Sequence, residues 1–120
     1  MSLLILSPDL MFASQFRAVA ETQGIACSQC LTAEQASEVI SDAACHLAIV
    51  DLSIDTLDVE RFVQHARQAN NGEAKLIAFA PHVHREKLAW AETVGFDAVM
   101  SRGEIIRRTA EILSTVGPKE

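Results

Sequence analysis

Short apolar runs alternate with segments of helical spacing five times along the chain, and that alternation predicts a parallel sheet with helices on both faces. The first run is Leu3 to Leu6. Asp9 then stands as a helix N-cap, Phe12, Phe16, Val19 and Ala20 fall on one helical face, and Gly24 supplies the stop. Ile25 to Cys30 reads as a short second strand. Thr32 with Gln35 three residues on has the form of a capping box, and Ala36, Val39 and Ile40 mark the inner stripe of the helix it starts. Leu47 to Val50 is the third strand, closed by Asp51. The spacing of Phe62, Val63 and Ala66 predicts a third helix capped by Asp58 and stopped at Asn70-Asn71-Gly72. Leu76 to Ala80 is the fourth strand, which Pro81 ends by withholding a ladder donor. A fourth helix, from about His84 to Val94, would bury Leu88 and Ala91 and end at Gly95. Ala98-Val99-Met100 is the fifth strand. One last helix, from Glu104 to about Thr115, presents Ile105, Ile106, Ala110, Ile112 and Leu113.

A chain of 120 residues, 49% apolar and 22% charged, has the size and composition of one soluble globular domain. We read residues 1–116 as that domain and 117–120, which open with Gly117-Pro118, as a tail or the start of a linker. No apolar run reaches the length of a membrane span, and Met1 to Leu6 lacks a basic flank and cleavage site, so a cytoplasmic protein is expected. The net charge of -6 argues against nucleic-acid binding by the domain as a whole.

Where chemistry could reside is narrower. In an open parallel sheet, ligands collect outside the carboxyl ends of the strands, and Asp51 delivers a carboxylate there; a loop-capping Asp is the other reading. Asp51, Asp55 and Asp58 lie within eight residues and could recruit a cation, or serve as solvated caps and turns. His82 and His84 follow the fourth strand near the same edge, too few for a metal shell on their own. Cys27-Ser28-Gln29-Cys30 has C-x-x-C spacing but falls in a strand, where a redox pair lacks the helix N-terminus that lowers its pKa. The five glycines are scattered singly, with no phosphate-cradling loop and no nucleophile elbow. Arg85, Lys87, Arg102, Arg107 and Arg108 gather on the last two helices of an otherwise acidic chain, a face suited to an acidic partner or a solvated surface with pairs such as Glu104 and Arg108.

Together, the five βα units, Asp51-Leu52, the acidic Asp58 seven residues on, and the stretch Gly95 to Arg102 resemble the receiver domain of bacterial response regulators, nearly end to end. The resemblance implies a flavodoxin-like (βα)5 three-layer sandwich with strand order 2-1-3-4-5. It also implies Asp51 as phospho-acceptor, with Ser7, Pro8, Asp9, Ala80 and Arg102 around it. Departures from the family cluster in that pocket. The acid pair that helps hold magnesium is matched by Ser7 and Pro8, the reporter hydroxyl by Ala80, the switch aromatic by Val99, and the phosphoryl-contacting Lys by Arg102 followed by Gly103. Asp9 could replace a metal ligand only if its loop slipped, and an ion pair from Arg102 to Asp51 is expected.

The resemblance therefore implies a degenerate signalling module of a two-component or phosphorelay system, not an enzyme. Magnesium-dependent phosphorylation would be impaired, with no cofactor, and a histidine kinase or other signalling protein would be the partner. The surface carrying Arg85, Lys87, Val99, Arg107 and Arg108 would make contacts that include a homodimer. The alternative is an active acceptor using Asp51 with Asp9, Arg102 and magnesium; a flavodoxin-like ligand binder or enzyme using the crevice beside Asp51 and His82 is a third reading.

Overall fold

Strands and helices alternate through residues 2–41, 45–69 and 73–114, the parts that the computed structural model describes. In chain order they are β1 (Ser2–Leu6), α1 (Leu10–Thr22), β2 (Ala26–Cys30), α2 (Ala33–Ile40), β3 (Cys45–Asp51), α3 (Thr56–Gln68), β4 (Lys75–Ala80), α4 (Arg85–Val94), β5 (Ala98–Ser101), α5 (Arg102–Arg107) and α6 (Thr109–Ser114). All strand pairings are parallel, in the order β2-β1-β3-β4-β5, as the resemblance implies.

Side chains of successive strand residues point to opposite faces, and both faces are covered, so the central strands are apolar over Leu3 to Leu6, Leu47 to Val50 and Leu76 to Ala80. Leu4, Leu6, Ala48, Val50, Leu76 and Ala78 meet α2, α3 and α4 through Ile40, Phe62, Val63 and Ala91. Leu3, Ile5, Leu47, Ile49, Ile77 and Phe79 meet α1, α5 and α6 through Phe12, Phe16, Ile105 and Leu113. Phe12 stacks on Phe79 with ring centroids 4.3 Å apart and is tilted against Phe16 at 5.6 Å. Burying each such side chain contributes about 1.5–3 kcal/mol.

The predicted caps at Asp9 and Thr32 are present: Asp9 accepts from the Phe12 amide, and Thr32 from that of Gln35. Gln35 reaches back to the Leu31 amide and completes a variant of the capping box. Gly24 and Gly95 both take positive φ, at 71° and 116°, where a β-carbon is strained. Of the predicted stripes, Ala91 is fully buried and Leu88 and Val19 are half-buried.

Two expectations are corrected. The third helix is capped by Asp55, whose side chain accepts from the Leu57 amide at 2.9 Å; Asp58 lies within its first turn, where the helix dipole favours a negative charge. The last helix is broken in two at Arg108. The Thr109 hydroxyl there bonds back to the carbonyls of Ile105 and Ile106, a contact that bends helices. The Asn70-Asn71-Gly72 stop, Thr115 and the boundary between 1–116 and 117–120 lie outside the described residues. No helix among the described residues is long and apolar enough to cross a membrane.

Because Asp55 satisfies a helix donor and Asp58 adds only a charge near the dipole, Asp55→Ala should cost about 0.5–2 kcal/mol. Asp58→Ala should cost about 0.3–1 kcal/mol. Urea denaturation of the two variants checks the order.

Candidate functional site

β3 is apolar from Leu47 to Val50 because both sheet faces are covered, and it ends by carrying Asp51 to the sheet edge with only 4% of its surface exposed. A carboxylate so placed needs donors. Its Oδ2 accepts from the buried Ser7 hydroxyl at 2.7 Å, and its Oδ1 accepts from the Ser53 amide at 2.9 Å. Ser7, the residue after β1, also accepts from the Asp9 amide at 3.1 Å. One hydroxyl thus ties the first loop to the third.

Asp9 is engaged twice. It caps α1, and its other oxygen pairs with the Arg102 guanidinium, which lies over the Phe12 ring at 5.5 Å from the centroid. The Arg102 pair, followed by the cap amide, holds the Asp9 carboxyl below the usual range, against a smaller opposing effect of burial. The expected ion pair from Arg102 to Asp51 is therefore corrected: Arg102 goes to Asp9. Asp51 is supplied by neutral donors, whereas Asp9 sits beside both the ring on which Arg102 rests and the start of α5.

Ala80 is fully buried at the end of β4, paired in register with Ser101. The Ser101 hydroxyl is occupied as the cap of α5, accepting from the Glu104 amide at 3.2 Å. Pro8 is exposed and offers no side-chain oxygen. Asp55 is the cap described above. Among the described residues, no three His, Cys, Asp or Glu side chains converge as a metal shell. His82 and His84 are exposed, and His84 stands at the start of α4 without a side-chain capping bond.

The cysteines diverge. Cys27 lies with the α1-side core and Cys30 with the α2-side core, so the C-x-x-C pair straddles the sheet. Burial pushes all three thiols up, Cys30 to about 11 with further help from Cys45 and Cys27, which suits protonated packing residues.

Solved structures share this arrangement of elements. A response regulator from Hahella chejuensis superposes with a TM-score of 0.80 at 15% identity, over 99% of this chain and 98% of that one. The receiver domain of a sensor histidine kinase from Pseudomonas aeruginosa PAO1, with magnesium in its active-site cleft, gives 0.78 at 14% identity over 95% and 94%. An atypical orphan response regulator, described as revealing a phosphorylation-independent regulatory mechanism, gives 0.74 at 13% over 99% and 100%. The fold is that of a response-regulator receiver domain. No family model and no curated protein matches the sequence.

Within the receiver fold, Val99 is half-buried against the α2–α4 core. Of the basic face, Arg85 and Arg107 are exposed and Lys87 is half-buried. Arg108 is clasped by Glu104 and Glu111, each at 3.1 Å, and holds the Glu111 carboxyl below its usual range. The predicted Glu104 and Arg108 pair is thus present. Sequence reasoning missed the bridging Ser7 hydroxyl, for which a polar residue directly after an all-apolar strand was the available signal. It also missed Asp97, which accepts from the Leu76 amide at 2.7 Å and from Arg67 at 3.1 Å at the opposite end of the sheet.

Replacing Ser7 with Ala leaves a buried carboxylate oxygen and the Asp9 amide short of a partner, so it should cost about 1–3 kcal/mol. The same replacement made in an Asp51→Ala background should cost measurably less, read from a double-mutant cycle in urea. Asp9 should titrate below its ordinary 3.8 in the natural chain and move up in Arg102→Ala, as followed by carboxyl NMR. With its folded pKa depressed, the Asp9 pair stabilises fully above the unfolded value and loses its contribution as pH falls through the folded one. The stability gap between natural chain and Arg102→Ala should close on acidification.

Proposed function

We propose that the chain is a receiver-like module of a two-component or phosphorelay system that works through protein contacts, with magnesium-dependent phosphorylation at Asp51 impaired. It binds rather than catalyses, and its partner is a histidine kinase or another signalling protein.

The observation that carries this reading is the Ser7 hydroxyl donating to Asp51, at a position where the fold family has a metal-binding acid. Magnesium requires near-octahedral oxygen ligands, usually one or two carboxylates with water and phosphate. Here Ser7 offers a hydroxyl in place of a carboxylate, Pro8 has no side-chain oxygen, and Asp9 is held by Arg102, so Asp51 is left as the one uncommitted carboxylate of the set. That ligand set does not fit the ion. Ala80 and Val99 leave no hydroxyl and no aromatic ring at the two positions whose coupled movement reports phosphorylation in the family. Structures sharing the fold include one with magnesium bound and one described as phosphorylation-independent, so fold alone does not choose between the readings and the site must.

Incubation with a small phosphodonor and magnesium should leave the folded natural chain unlabelled by intact mass. Ser7→Asp with Pro8→Asp, combined with Arg102→Lys, should restore an adduct that Asp51→Ala removes. Stoichiometric, metal-dependent labelling of the natural chain at Asp51 would instead establish the active-acceptor reading with Asp9 and Arg102.

A further inference from the structure

α2 and α3 lie side by side on one face of the sheet, and a recess of about 430 Å³ runs between them. Its space has a plain origin. Ala33 and Ser37 stand one turn apart on the wall of α2 and are too small to fill the gap to Phe62 and His65 on α3. The rim is acidic. Glu34 and Glu38 on α2 and Asp58 on α3 are exposed, and among the described residues none of these three side chains has an ion-pair or hydrogen-bond partner. Arg61 is the one lysine or arginine lining the recess, and it too is unpaired, although it stands three residues from Asp58. We propose that this recess is a docking groove for a basic amphipathic helix of a partner protein. An apolar side chain of that helix is seated between α2 and α3, and its lysines or arginines meet the rim carboxylates.

Charge selects a basic occupant. Glu34 and Glu38 are a like-charged pair at i,i+4, which repel each other on the helix surface. Glu38 also lies in the last turn of α2, where the helix dipole disfavours an acid and no basic residue offsets it. A cation placed between the two relieves both effects, whereas an acidic segment adds to them. At the lower end of the groove, the Ser41 hydroxyl donates to the Ser37 carbonyl at 2.9 Å. Its 2.8 Å contact with His65 Nε2 therefore takes the proton from the ring, which leaves Nδ1 of the neutral imidazole as an acceptor. The free groups of the rim are thus mostly acceptors, which lysine and arginine side chains can meet.

Spacing selects a helix. A groove between two helices receives a third, whose side chains at i, i+3 and i+4 fall along one line. An extended segment would turn alternate side chains away from it. Ala33 and Phe62 give the recess an apolar base, with room for one large apolar side chain.

The inference rests on the reading that the chain works through protein contacts, and it gives one contact a place and a charge, on helices other than those bearing Arg85, Lys87, Arg107 and Arg108. The probe is a fluorescein-labelled amphipathic peptide with leucines at i, i+4 and i+7 and lysines flanking them. Anisotropy titration at physiological salt should show saturable binding, at least about 10-fold tighter than that of a scrambled peptide of the same composition. Glu34→Lys with Glu38→Lys should weaken it about 100-fold, whereas Glu73→Lys with Glu92→Lys, an equal change of net charge elsewhere, should leave it within about 2-fold. Ser37→Trp, which fills the recess without altering a charge, should weaken binding about 10-fold while circular dichroism stays native. A peptide with glutamates in place of the lysines should bind only the Glu34→Lys/Glu38→Lys chain.

No saturable binding up to about 1 mM peptide overturns the proposal, as does an equal loss in the two charge variants or full binding in Ser37→Trp. Spermidine that displaces the peptide at equal concentration assigns the groove to small amines and overturns it as well. Labelling at Asp51 would sink the functional reading without touching this result, and an empty groove would sink this inference without touching that reading.

Discussion

A carboxylate buried at the end of a central strand must be met by donors or by a cation, and the way this chain meets that demand organises everything around it. Asp51 takes a hydroxyl from Ser7 and an amide from Ser53. Ser7 in turn accepts the Asp9 amide, which fixes the loop between β1 and α1. Asp9 caps α1 and holds Arg102 at the start of α5; Arg102 lies over Phe12, and Phe12 stacks on Phe79. Phe79 is the register partner of Asp51, and its carbonyl accepts the Leu52 amide. The chain of contacts closes on itself across four elements. Removing the Ser7 hydroxyl leaves a buried carboxylate oxygen unpaired, which costs more than the contact itself contributes.

That closed circuit bears on switching. A two-state element responds to a ligand only through a difference in affinity between its states. Under the proposed reading, the charge demand at Asp51 is satisfied from within the chain, and the cation that could respond to a new anion is already committed to Asp9. The positions that would have to move are a fully buried Ala80 and a half-buried Val99. Ala80 has no rotamers to change, so in this reading it cannot relay a chemical event at Asp51 to the surface. A surface that is constant can still be recognised, which is why contacts carry the function in this reading.

The fold was largely legible because its signals are local and redundant. Alternation of strand and helix patterns, the caps at Asp9 and Thr32, and the glycines after α1 and α4 each point the same way. The misplaced cap of α3 had a simple origin: Asp55 and Asp58 are both good caps, and only backbone geometry decides between them. The break at Arg108 was hidden because the apolar spacing continues through it, while the bending comes from a Thr109 hydroxyl that periodicity does not weigh. At the site, identities such as Pro8 and Ala80 could be read directly. The partner of Arg102 could not, since two carboxylates lay within plausible reach and the choice rests on the aromatic ring that supports the guanidinium.

The exposed apolar side chains at the Asp51 edge of the sheet run against local preference. The first turn of a helix is where the macrodipole favours acidic groups, yet α1 opens with Leu10 and Met11 and has no acidic residue there. Leu57 occupies the same region of α3. Neither helix gains core burial from these residues, because their side chains remain in solvent while Phe12, Phe16, Val59 and Phe62 fill the interior. Scattered singly, such side chains are ordinary on a protein surface, so the N-terminal turn of α1 rests on its Asp9 cap rather than on a first-turn acid.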